Sequence, residues 1–163
     1  MKPYMLKFIA LLLIFTKCFF SCIDKEEHDK IPFIQIGKGS LYKYTEDERV
    51  FPKQNRIFSS QDEWERFIIT INAYNSEVTD QFHETKIDFN KYQIIAVIDE
   101  VHWGGAWNIE IGSVIDYSDR IVVTVFVKNN SNGDASPQVA SQPYHIVKIP
   151  QSTTRIEFKL INN

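Results

Sequence analysis

The sequence predicts an α+β fold, one amphipathic helix packed on a mostly antiparallel β-sheet, and three observations carry that expectation. One stretch, 61–74, has an apolar period of 3.6 residues behind a capping signal. The second half of the chain is dominated by short runs with strand patterns. A brief polar gap joins two of those runs as a hairpin. The helix stripe needs an apolar surface to cover it, and a sheet face is the only large one the pattern offers.

The elements follow in chain order. Residues 1–21 begin with a basic segment, Lys2 and Lys7, and continue into an apolar stretch from Phe8 to Phe20 that Lys17 interrupts. A transmembrane helix needs about 20 apolar residues, so this stretch is a secretory signal. Phe19-Phe20-Ser21-Cys22 resembles a lipoprotein lipobox, with Phe20 bulkier than the usual small residue, which makes Cys22 the expected lipidation site. Cys18 follows Lys17 directly and is the poorer choice. The alternative is an ordinary cleaved signal with a chance cysteine. Residues 22–30 are a charged tether, too polar to bury apolar surface. Within it, Lys25-Glu26-Glu27 resembles the signal that sends lipoproteins of Bacteroidota to the outer face of the outer membrane.

Removing residues 1–21 takes three lysines and no acids, so the formal charge moves from −3 to −6. That sign excludes nucleic acid, whose phosphates demand clustered Lys and Arg. It also opposes anionic headgroups, so the membrane is reached only through a lipid anchor such as palmitate. With Cys22 acylated, no other cysteine follows, which excludes disulfides, thiolate catalysis and cysteine metal ligands.

Residues 31–163 form one domain, expected to be monomeric. Short strand-like runs punctuated by Gly37, Gly39 and Pro52 open it. The helix follows at 61–74, with Ser60-x-x-Glu63 as a capping box and Asp62, Glu63 and Glu65 in the first turn. Trp64, Phe67, Ile68 and Ile71 form its inward stripe. Residues 75–86 lack periodicity and are expected to be a loop. Tyr92–Ile98 is apolar on both parities, as in a strand covered on both faces. Trp107, Ile109 and Ile111 alternate with polar neighbours, which predicts a half-buried strand over 107–115. Within a strand over 120–128, Ile121–Val127 is apolar on both parities and is expected to be central. The turn at Tyr117-Ser118-Asp119 joins these two strands, and further strands follow at 144–149 and 155–160.

The chain carries few motifs of known chemistry. His83-Glu84-Thr85-Lys86-Ile87 starts like a zinc-protease motif but has isoleucine where the second histidine must stand. Asp99-Glu100-Val101-His102 offers a carboxylate near an imidazole, yet no serine or cysteine has a nucleophile motif. The polar stretch 129–134 fails as a calcium loop, because Lys128 and Val139 fall at the end ligand positions. His145 sits in a strand, where a structural role is the common one. No catalytic residue, metal site or cofactor is expected.

The block IDFNKYQIIAVIDEVHWGGAWNIEIGSV, then IVVTVFVKN, then QPYHIVKIP resembles the C-terminal domain of the PrcB family, lipoprotein subunits of a protease complex. The matching residues are Asp88-Phe89, Gly104-Gly105 with Trp107, Ile109-Glu110-Ile111, and Pro143-Tyr144-His145-Ile146-Val147-Lys148-Ile149-Pro150, within a region of about 57–160. Ala106-Trp107 stands where a tyrosine would follow the glycines. The resemblance implies a non-catalytic envelope protein that stabilises or matures a secreted, subtilisin-like protease. A chagasin-like protease inhibitor is the second reading, without that class's Asn-Pro-Thr-Thr-Gly motif, and an enzyme the third. Trp107 shares the inward parity of Ile109 and Ile111 and should belong to the core. His102, Trp103, Gly104 and Gly105 form the expected partner-binding ledge, the alternative being that both indoles are buried.

Overall fold

The computed structural model describes residues 28–42, 50–104, 106–130 and 140–162. Strands β1 (Asp29–Lys30), β2 (Ile34–Ser40) and β3 (Gln54–Phe58) precede helix α1 (Gln61–Tyr74). After it come β4 (Tyr92–Ile98), β5 (His102–Trp103), β6 (Trp107–Asp116), β7 (Ile121–Asn129), β8 (Ala140–Ser141), β9 (Pro143–Pro150) and β10 (Ile156–Asn162).

Helix α1 starts where the sequence places it. Ser60, in extended conformation, accepts the Glu63 N–H at 3.4 Å through its side chain. The reciprocal half of the capping box is shifted by one residue, because the Glu63 carboxylate accepts from the Ser59 N–H at 3.4 Å and from the Ser60 hydroxyl at 3.2 Å. Trp64, Phe67 and Ile71 are buried and Ile68 packs beside them. The segment after the helix holds one 3-10 turn, Thr79–Gln81. It is anchored by Val78, Phe82 and Ile87 in the same core, and by Trp64 Nε1, which donates to the Thr85 carbonyl at 2.8 Å.

The strands form two four-stranded sheets rather than one. The order β2-β9-β4-β3 is antiparallel throughout. The order β1-β6-β7-β10 is antiparallel except for β7 and β10, which run parallel. A two-residue ladder pairs β5 with β8. The first sheet is the middle layer. Ile94, Ala96, Ile98, Tyr144 and Ile146 meet α1, while Ile95, Val97, Val147 and Ile149 meet Ile109, Ile111, Val114 and Ile121 of the second sheet. Two cores on opposite faces explain why 92–98 is apolar on both parities.

Strand β7 differs from the expectation of full burial. It lies inside its sheet, but only Ile121, Val123, Val125 and Val127 are buried, while Val122, Thr124 and Phe126 are half-buried on the outer face. The β6–β7 hairpin turns at Tyr117–Arg120 with Ser118 at φ 68°. A bulge at Gly112 lets Ile109, Ile111 and Val114 all face inward despite the change of parity. The last residues of the expected tether 22–30 are not tether: Asp29 and Lys30 pair with Asp116 and Ile115, and Ile31 N–H donates to the Val114 carbonyl at 2.9 Å. Among the described residues no helix is long and apolar enough to cross a membrane.

Candidate functional site

The polar corner at the end of β4 begins with a backbone clamp. Gln142, 1% exposed, pairs its side-chain amide with Phe51: Nε2 donates to the Phe51 carbonyl and Oε1 accepts the Phe51 N–H at 3.2 Å. The same Nε2 donates to the Asp99 carbonyl at 3.0 Å, and the Asp99 N–H donates to Pro143 at 3.0 Å. One buried amide therefore fixes three chain segments and aims the Asp99 carboxylate into a cleft of about 400 Å³.

Asp99 gathers the corner's charge although its side chain is 2% exposed. Lys53 Nζ lies 2.8 Å from Oδ1, and His102 Nε2 lies 2.9 Å from Oδ2. An ionised carboxylate only accepts, so the His102 ring carries its proton on Nε2. Burial disfavours the Asp99 charge, but the Lys53 ammonium beside it and the bond from His102 outweigh that and hold its pKa below the usual carboxylate value. Lys53 is raised in turn by Asp99, against its own desolvation, and also reaches Glu100 at 3.5 Å. The His102 ring stacks on Trp107, with centroids 4.0 Å apart and planes 10° from parallel. Val127 and Leu160 line the apolar side of the cleft.

The expected ledge of His102, Trp103, Gly104 and Gly105 is divided by this geometry. Successive strand residues point to opposite faces. His102 turns in to Asp99 and Trp107, with a side chain 13% exposed, whereas Trp103 is 74% exposed. The companion of Trp103 is Tyr42, whose ring meets it edge-on at 5.7 Å. Gly104, at φ 79°, supplies the left-handed turn that separates the two indoles. Trp107 is half-buried and packs against the inter-sheet core, in the inward phase of Ile109 and Ile111. Gly105, Cys22, Lys25, Glu26, Glu27 and residues 131–134 of the polar stretch lie outside the described residues.

Asp99 and His102 make the base and its orienting acid of a hydrolytic triad, and Ser141 faces His102 across the β5–β8 ladder. Among the described residues the buried Ser141 hydroxyl has no hydrogen-bond partner, so the bond to His102 that such chemistry needs is not made. His83 is exposed and Ile87, at the missing-ligand position, is buried in the helix-side core. His145 lies between the sheets, where Nδ1 accepts the Ile111 N–H at 2.9 Å. Burial, with Lys38 adding to it and Glu110 opposing, pushes its pKa down to about 4.

Sequence reasoning noted the carboxylate and imidazole of 99–102 but missed Lys53 and Gln142. Lys53 is 46 positions from Asp99 and no local pattern links them. Gln142 had one faint signal, a polar residue directly before an apolar strand. No family model, curated protein or solved structure matches this chain.

Proposed function

We propose that this chain is a non-catalytic, lipid-anchored protein of the outer membrane that binds a secreted protease through the Trp103 face and stabilises or matures it. The observation that carries the reading is Trp103, a large apolar ring 74% exposed on a short strand and met edge-on by Tyr42. Tryptophan is enriched among the residues that dominate protein interfaces, because one rigid ring buries much area at small entropic cost. The likeness of 57–160 to PrcB C-terminal domains supplies the class of partner. The lipobox at Cys22 and the charges Lys25-Glu26-Glu27 supply the location.

The test uses the full chain, purified from its own cells with whatever it holds. A fluorophosphonate probe, which labels active serine proteases, should mark a protein that co-purifies with the wild type. Trp103→Ala should lose that protein while keeping its melting temperature. Equal recovery with both chains, or no labelled protein with either, overturns the reading. Protease activity after removal of this chain separates the two modes: a stabilised enzyme decays, and an inhibited one rises.

A further inference from the structure

We propose that the corner of Asp99, Glu100 and His102 is a binding site for a divalent transition-metal ion such as Zn²⁺, with Lys53 as an ammonium that occupies the site until the metal displaces it. Each of the three residues offers one ligand atom, and these atoms all lie within 4.8 Å of one another. Two carboxylate oxygens and an imidazole nitrogen are a borderline donor set that suits Zn²⁺ or Co²⁺. The separation of His102 Nε2 and Asp99 Oδ2, 2.9 Å, matches the right-angle edge of an octahedral shell with ligands about 2.1 Å from one ion, and is shorter than the edge of a tetrahedral one.

Three further observations point to an exchangeable cation rather than a finished ion pair. Asp99 Oδ1 is buried and borders the cleft, and among the described residues its one partner is the Lys53 ammonium, an ion pair at 2.8 Å without hydrogen-bond alignment. Lys53 reaches its two acids unequally, at 2.8 and 3.5 Å, and its side chain is 48% exposed, free to swing into water. The charges balance for a dication: two carboxylates against one ammonium leave −1, whereas two carboxylates against M²⁺ leave none. The cleft of about 400 Å³ leaves room for water at the remaining coordination positions.

Binding makes bonds from Asp99, Glu100 and His102 Nε2 to the ion. The imidazole proton moves from Nε2 to Nδ1, so the ring stays neutral, and the Lys53 ammonium leaves for solvent with its proton. Trp107, stacked at 4.0 Å on the ligand ring, is a built-in reporter, because a paramagnetic ion bound to His102 quenches its fluorescence. The site is separate from the Trp103 face and stands without the proposed protease partner.

The experiment titrates Co²⁺ into the full chain carrying Trp103→Phe, which leaves Trp107 and the core Trp64 as emitters. Saturable one-to-one quenching, reversed by excess Zn²⁺, is expected. Glu100→Gln, on an exposed side chain that the fold does not need, should weaken Co²⁺ by more than about tenfold. Lys53→Met should tighten it by about tenfold, since the competing ammonium is gone. Quenching that stays linear in Co²⁺, or that Glu100→Gln leaves unchanged, overturns the proposal. So does a folded Lys53→Met that binds no tighter, and if that variant does not fold, Glu100→Gln alone decides.

Discussion

His145 makes stability depend on pH in a way that a single substitution isolates. Its ring is 3% exposed between the two sheets, with Nδ1 accepting from Ile111 N–H and Nε2 without a partner among the described residues. A second proton must go to Nδ1, which would set two donors against each other and place a charge in an apolar layer. Lys38 faces the ring and opposes that charge, while Glu110, paired with Lys38 at 3.4 Å, favours it. The folded value of about 4 lies below the ordinary 6.5, so the unfolded chain takes up the proton first as pH falls. Stability is therefore complete above 6.5 and is lost on descending towards 4. At about 1.4 kcal/mol for each pH unit between those values, the full loss is about 3 kcal/mol.

His145→Asn is the matched control, because its side-chain oxygen can still accept from Ile111 and does not titrate. Other carboxylates destabilise both proteins alike in acid, so the comparison removes them. Between about pH 7.5 and 4.5, urea unfolding should show the wild type losing about 2–3 kcal/mol more than the variant. Parallel loss in the two proteins would refute the claim that His145 is held neutral by burial.

Trp107→Ala should cost about 2–3 kcal/mol in denaturant unfolding, less than the 3–5 of a fully buried indole such as Trp64, because Trp107 is half-buried. Gln142→Ala should cost about 3 kcal/mol by the same measurement, since it strips partners from buried backbone groups of Phe51 and Asp99. Cys22→Ser should leave the precursor unprocessed or move it out of the membrane fraction. Replacing Lys25, Glu26 and Glu27 with alanine should keep the protein membrane-bound but shield it from protease added to intact cells.

The parts of the fold legible in the sequence were those set by local period. The α1 stripe of Trp64, Phe67 and Ile71 and the β6–β7 hairpin repeat every few residues and appear as expected. The double burial of 92–98 was legible too, but not what covers its second face, because sheet membership depends on pairings far apart in sequence. The parallel pairing of β10 with β7 leaves no trace in either strand alone. At the candidate site, strand alternation separated His102 from Trp103, which adjacency in sequence had joined. The Asp99 corner was half legible: Glu100 and His102 are its sequence neighbours, whereas Lys53 and Gln142 arrive through the middle sheet.

The most direct test of the docking claim places a photo-crosslinking amino acid at position 103 on intact cells, with position 69 as control. Ile69 is 67% exposed on helix α1, so both probes meet solvent equally well. Crosslinks from 103 to a fluorophosphonate-reactive protein, absent from 69, are the predicted result. The same products from both positions, or none from 103, would contradict a protease-binding face built on Trp103.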